Sequence, residues 1–225
     1  MGKYRCVIFD LDGTIANTKP GIINGFKYAL SSMGANYLHE YDNDIIGPSL
    51  FDSFSRFYNF SEEKSNEAVR IYRRYYIDKG MFEYKLYGGI KELISTLKEN
   101  GITLALATTK YKQFAEKMLE HSGLTQYFNC IIGSNEDGSF SSKNELLDYV
   151  IQCTNCSAGD CLMVGDRFYD AYGAQQHKMD FVWAKYGYGK KEEFENIKVK
   201  FTVSNAAEIF DIVMSNKNIE TSDCL

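Results

Sequence analysis

Short apolar runs separated by amphipathic stretches set the rhythm of this chain. The runs at 6–9, 102–107, 130–133, 161–165 and 181–184 are too short for helices and rich in Val, Ile, Leu and Phe, as strands buried on both faces are. Between them, segments 89–100, 111–122, 143–153 and 169–177 carry apolar residues at helical spacing, as in Ile90, Leu93, Ile94 and Leu97. Gly101 and Gly123 stand where a left-handed residue would close two of these helices. The alternation from residue 87 onward, joined to the first run, predicts an α/β fold built on a doubly wound parallel sheet.

Residues 17–86 break that rhythm and read as a small helical domain inserted after the first strand, which leaves 1–16 and 87–225 as the core. Phe51, Phe54, Phe57 and Tyr58 recur at helical spacing, and Tyr72, Tyr75 and Tyr76 lie beside Arg70, Arg73 and Arg74. Packing of a helical core explains the aromatics; a surface for stacking nucleotides is the alternative. The crossings near 15–19 and 84–89 are short, so two hinges at one mouth would let the insert open and close over the sheet edge.

With 225 residues the chain can bury one full core and a smaller second unit. Thirty acidic against twenty-five basic residues give a net charge of -5, which argues against a nucleic-acid polymer as partner. No apolar stretch is long enough to span a bilayer, and the start runs straight into the first strand, so a cytoplasmic protein with no membrane partner is expected. Of the six cysteines, Cys6 and Cys130 fall inside strand-like runs as small hydrophobes. Cys153 and Cys156 have the spacing of half a zinc site, but no second pair follows them or Cys161 and Cys224, so neither zinc nor a disulfide framework is expected.

The chemistry gathers at strand ends. Asp10-Leu11-Asp12-Gly13-Thr14 follows the first run, where ligands of open parallel sheets collect and where Gly13 lets the backbone turn sharply. A strand ending in an Asp/Gly turn would account for those five residues alone. Thr108 and Thr109 end the next run and can face an anion at a helix N-terminus. Lys143 opens a helix after the polar stretch 139–142, and Gly165-Asp166-Arg167-Phe168-Tyr169-Asp170 forms a second acidic turn. Each has an ordinary structural explanation, an exposed lysine or a carboxylate in a helix's first turn. One mechanism needs all of them together.

That joint pattern resembles the haloacid dehalogenase-like hydrolase superfamily, whose motifs are an Asp-x-Asp, a Thr or Ser, a Lys and a terminal acidic pair, in this order. Asn17, Thr18, Pro20 and Gly21, with Ile46-Gly47-Pro48-Ser49-Leu50 and Gly165-Asp166-Arg167-x-x-Asp170, are similar to its phosphoglycolate phosphatase and 5'-nucleotidase-like branches. The insert then corresponds to the family's helical cap. Asn144 stands where a proline is frequent and Asn17-Thr18 where Asp-Ser is usual, which leaves Lys110 as an alternative to Lys143.

The resemblance implies a phosphatase acting on a small phosphorylated metabolite such as phosphoglycolate or a nucleoside monophosphate. Asp10 would attack phosphorus, and Asp12 would protonate the leaving alkoxide and later take a proton from water. Thr108, Thr109 and Lys143 would bind the phosphate. Because Asp12 and Asp166 crowd the nucleophile with like charge, a hard cation is required, and Mg2+ fits, held by Asp10, Asp166, the backbone carbonyl of Asp12 and, further out, Asp170. A phosphosugar mutase is disfavoured because Ile22 stands where its cap histidine would be. An inorganic pyrophosphatase and a non-enzymatic ion-binding module are the other options, and oligomeric state is not encoded in any of these motifs.

Overall fold

In chain order the elements are β1 (Cys6–Phe9), β2 (Ala16–Asn17), α1 (Lys19–Ser32), α2 (Leu50–Tyr58), α3 (Glu62–Asp78), β3 (Lys85–Leu86), α4 (Ile90–Glu99), β4 (Thr103–Tyr111), α5 (Lys112–His121), β5 (Cys130–Ser134), α6 (Lys143–Thr154), β6 (Cys161–Gly165), α7 (Phe168–Gln176), β7 (Asp180–Ala184), β8 (Phe201–Val203) and α8 (Ala206–Met214), joined by loops and short 3-10 turns. This computed structural model describes residues 3–135, 140 and 142–215. Ser139 and Ser141 of the polar stretch, and Cys224, lie outside them.

Chain contacts divide it into two compact units, the described residues of Met1–Ala16 with Leu86–Leu225, and Asn17–Lys85. Leu86, placed in the insert by its sequence, goes with the first unit. The chain leaves and returns through β2 and β3, which pair as a two-stranded ribbon.

In the larger unit the strands form a parallel sheet in the order β5-β4-β1-β6-β7-β8. β1 lies at the centre because all four of its side chains are apolar and buried, which only a strand covered on both faces can satisfy. Cys6, Ile8, Ala105, Ala107, Cys161 and Met163 pack on Leu146, Leu147 and Val150 of α6 and Ala171 and Ala174 of α7. Alternate residues such as Val7, Phe9, Leu104 and Leu106 point to the opposite face and are equally buried. Each fully buried Leu, Ile or Phe side chain contributes roughly 1.5–3 kcal/mol. Gly101 and Gly123 take φ of 78° and 69°, as helix-closing residues. The chain order runs outward from β1 to β5 on one side and from β6 to β8 on the other, so the strand order reverses at the carboxyl end of β1.

In the smaller unit α1, α2 and α3 pack through aromatic side chains. Phe26 meets Phe54 at 4.6 Å and Tyr72 at 5.3 Å between ring centroids, and Tyr72 stacks on Tyr76 at 5.4 Å. Phe54, Tyr72 and Tyr76 are buried, while Arg70 and Arg74 are exposed, so most of this cluster is core. Gly25 makes the α1–α3 approach possible: a Cβ there would come within 2.5 Å of the Tyr72 ring.

Candidate active site

The turn after β1 is held by backbone hydrogen bonds, Gly13 N–H donating to Ala16 O within the turn at 2.9 Å and Asp10 N–H to Val164 O of β6 at 2.9 Å. Gly13 adopts φ of 85°, and a Cβ on it would lie 2.2 Å from Asp166 Oδ2, so both conformation and space demand glycine. Asp10 is thereby placed beside the end of β6, against Asp166 and Asp170. Ligand oxygens of these three buried carboxylates lie within 4.8 Å of one another.

Lys143 is the first residue of α6, whose start is fixed by a capping box between Ser142 and Glu145. Its Nζ donates to Asp10 Oδ1 at 2.8 Å, pairs with Asp170 Oδ1 at 2.7 Å and donates to Ala107 O at 2.7 Å. The Asp170 contact is an ion pair and not a hydrogen bond, so Asp10 Oδ1 and Ala107 O are the two acceptors of ammonium hydrogens here. Gly173 of α7 leaves room for the lysine stem, since a Cβ there would stand 2.9 Å from Lys143 Cγ.

Asp166 is fully buried and is gripped from two sides. Thr14 Oγ1 donates to its Oδ1 at 3.4 Å and Tyr188 N–H to its Oδ2 at 2.7 Å. The Tyr186–Gly189 loop reaches it because Gly187 and Gly189 lack side chains; a Cβ on either would stand 2.3 Å from Asp166 Cβ or 1.9 Å from Asp166 O. Tyr186 OH donates to Thr14 O at 3.1 Å and its ring packs against Tyr87 at 4.8 Å, closing the wall. Asp170 Oδ2 accepts from Arg167 N–H at 3.1 Å as the first turn of α7 closes. Arg167 itself turns away to Glu193 at 3.0 Å.

Asp12 stands apart from the three carboxylates. Lys110 Nζ donates to both of its oxygens at 2.9 Å. Thr108, buried, accepts from Lys110 N–H on its Oγ1 at 3.2 Å, whereas Thr109 is exposed. The two lysines that compete on sequence therefore serve different aspartates.

Charge balance in this pocket is unfavourable. Burial pushes the Asp10 carboxyl up to about 7; Lys143 opposes the rise, and Asp170 and Asp12 add to it. Burial also holds Asp166 well above the carboxylate range, reinforced by Asp170 and Asp10 against the Tyr188 amide and Arg167. For Lys143 burial disfavours the charge, but Asp10 and Asp170 outweigh it and hold the ammonium above its ordinary value. One ammonium does not neutralise three carboxylates. A hard divalent cation on oxygen donors fits the deficit, and Mg2+ is of that class.

Sequence reasoning missed Thr14, the Tyr186–Gly189 loop and the Lys110–Asp12 pair. The Tyr-Gly-Tyr-Gly repeat just after β7 is the one local signal of a backbone pressed against the site. The five described cysteines, Cys6, Cys130, Cys153, Cys156 and Cys161, are free thiols.

A family model described as haloacid dehalogenase-like hydrolase matches residues 7–184. A 5'-nucleotidase of Pseudomonas aeruginosa is 34% identical over 85% of this chain and 87% of its own length. Tyrosine-protein kinase PtkA of Mycobacterium tuberculosis is 33% identical over 92% of this chain and 71% of its own. Among solved structures, a provisionally designated phosphatase of Clostridium difficile superposes with a TM-score of 0.86 at 41% identity, covering 94% of this chain and 99% of that one.

Proposed function

This chain belongs to the haloacid dehalogenase-like hydrolases and is an enzyme of their phosphatase class, and from that premise we propose that it hydrolyses a small phosphate monoester through an aspartyl-phosphate on Asp10. The observation that carries the reading is Lys143 Nζ joined at once to Asp10, Asp170 and Ala107 O, with Asp166 alongside, where the strand order reverses. Such an arrangement fixes one carboxylate oxygen of Asp10 and leaves the other for attack.

Asp10 attacks phosphorus, the alkoxide departs, and Asp12 supplies its proton. In the second half, Asp12 takes a proton from the water that opens the acyl phosphate, which returns Asp10. Thr108 donates its hydroxyl hydrogen to a phosphate oxygen, Thr109 offers a second donor, and Lys143 turns an ammonium hydrogen toward the phosphate. Mg2+ held by Asp10, Asp166 and the backbone carbonyl of Asp12, with Asp170 behind them, would supply the positive charge that lets a carboxylate approach a phosphate dianion.

Phosphoglycolate and nucleoside monophosphates are the substrates we put first, in a cytoplasmic setting that suits the free thiols. No helix among the described residues is long and apolar enough to cross a membrane. The test is a panel of glycolate, nucleotide, sugar and pyrophosphate substrates with Mg2+, compared by kcat/KM and by release of inorganic phosphate. Preference of a hundredfold or more for one monoester supports the reading. Phosphate moved to an acceptor without release, or no turnover of any ester, defeats it.

A further inference from the structure

Lys110 has no part in the chemistry so far, yet its placement is specific. The side chain is 7% exposed and comes from the last turn of β4, 98 residues along the chain from Asp12, whose side chain is 21% exposed. Burying most of a lysine costs rotamer freedom and solvation, so the site must repay it through the partner. The partner receives two hydrogen bonds of equal length, one on each carboxylate oxygen. Two such bonds fix the plane of the carboxylate as well as its position, which a single contact does not.

The backbone that delivers Lys110 is built for this. β4 pairs with β5 in regular register to Thr108–Gly133 and resumes at Tyr111–Ser134, so the strand bulges over the intervening residues. A Cβ on Gly133 would lie 2.8 Å from Lys110 O, so the bulge depends on that glycine. The same bulge brings Lys110 N–H onto Thr108 Oγ1. Thr108 and Lys110 are therefore set by one backbone feature, the first toward the phosphate site and the second onto Asp12.

We infer that Lys110 is a positioning residue that holds the Asp12 carboxylate, in its proton-accepting form, for the water that hydrolyses the phosphoenzyme. The inference rests on the proposed roles of Asp10 and Asp12. Lys143 serves the nucleophile; Lys110 serves the proton acceptor. A carboxylate doubly bonded to an ammonium presents its remaining lone pairs in a fixed direction, which is what an in-line water needs from its base. Without the ammonium the side chain samples other rotamers, and the second half-reaction slows while the first is spared whenever the leaving group needs no proton.

p-Nitrophenyl phosphate provides that condition, since p-nitrophenolate departs unprotonated. Wild type, Lys110→Met, Lys110→Arg and Asp12→Asn are each mixed with this substrate and Mg2+ in stopped flow, with acid-quenched phosphoenzyme measured in parallel. For Lys110→Met the expectation is a burst approaching one equivalent, at a rate within about threefold of the wild-type first step. Steady-state turnover then falls on the order of 10²-fold, within the range of general base contributions. Lys110→Arg restores most of the turnover, because a guanidinium can again engage both oxygens.

Burst and steady-state rates falling together in Lys110→Met, or both unchanged, would overturn the inference. A thermal melt identifies a variant that has not folded; Lys110→Gln, one atom shorter but still an N–H donor, then takes its place, with an intermediate turnover and a retained burst expected. The underlying reading fails in a different way. Asp12→Asn that accumulates no phosphoenzyme denies Asp12 the base role, and absence of phosphoenzyme from every protein denies Asp10 the nucleophile role.

Discussion

Asp10→Asn should make the metal-free protein more stable at pH 8 while ending its turnover. The folded protein holds this carboxyl at about 7 against an ordinary 3.8, chiefly by burial. Raised in this direction, the group binds its proton more tightly folded than unfolded. Its unfavourable contribution is absent below about 3.8, grows as pH rises toward 7, and is constant above. About three pH units at ~1.4 kcal/mol each give an upper figure of about 4 kcal/mol. Relaxation around a buried charge lowers such figures, and about 2 kcal/mol is the working expectation. Asparagine mimics the neutral acid in shape and leaves Lys143 its contacts with Asp170 and Ala107 O. For a chain of this length that gain raises the melting temperature by about 4–8 °C. The assay is thermal melting in EDTA at pH 4, 6 and 8, repeated with Mg2+. The difference should vanish at pH 4 and be full at pH 8, and Mg2+ should stabilise the wild type more than the variant. A variant equal to or weaker than wild type at pH 8, or a gain independent of pH, would refute the charge argument.

At the amino end of β7, Asp180 accepts from Tyr4 OH and Lys200 Nζ at 2.7 Å each and from Lys3. Burial alone would raise its carboxyl, but Lys200, Lys3 and Tyr4 outweigh it and hold it near 2. A depressed value stabilises above the ordinary 3.8 and is lost as pH falls through about 2, so Asp180→Asn should cost about 1 kcal/mol near neutrality, after discounting for solvent screening. Urea melts at pH 7 and pH 2 read it, and a cost undiminished in acid contradicts the pairing. Gly13→Ala should lower kcat on the order of 10²-fold, because its Cβ displaces Asp166. Gly34→Ala is the control: φ is 69°, nothing lies within 4 Å, and only a conformational cost of about 1–2 kcal/mol is expected, with kcat unchanged.

The central strands were legible because burial on both faces forces continuous apolar runs, and β1, β6 and β7 begin and end within a residue of those runs. β8, only Phe201–Val203, lies at the sheet edge with one of its three residues buried, so it carries no such run. α8 went unread although Asn205 and Glu208 mark its start; Asn205 Oδ1 accepts from Glu208 N–H at 3.3 Å. Tyr111 closes β4 instead of opening α5, because the strand bulges after Thr108 and runs three residues further.

The site divides along the same line. Residue types at strand ends are local information, and Asp10, Asp12, Thr108, Lys143, Asp166 and Asp170 could be picked from them. Pairings are not local: nothing in the order of residues says which lysine serves which aspartate. Lys143 was the lysine the motif order favoured, with Lys110 as its alternative, and the bulge in β4 and the cap of α6 aim the two apart. The loop that grips Asp166 is invisible for a related reason, since it contributes an amide and two missing side chains rather than a reactive group. What a glycine permits depends on what stands opposite it, and at Gly13, Gly187 and Gly189 that is one carboxylate-bearing residue. Three glycines from two distant segments converging on Asp166 mean that its position is set by excluded volume as much as by hydrogen bonds. A fully buried acid held above its ordinary ionisation by burial is costly to the fold, and the backbone closes on it from both sides so that it has no route to solvent that would relieve the charge.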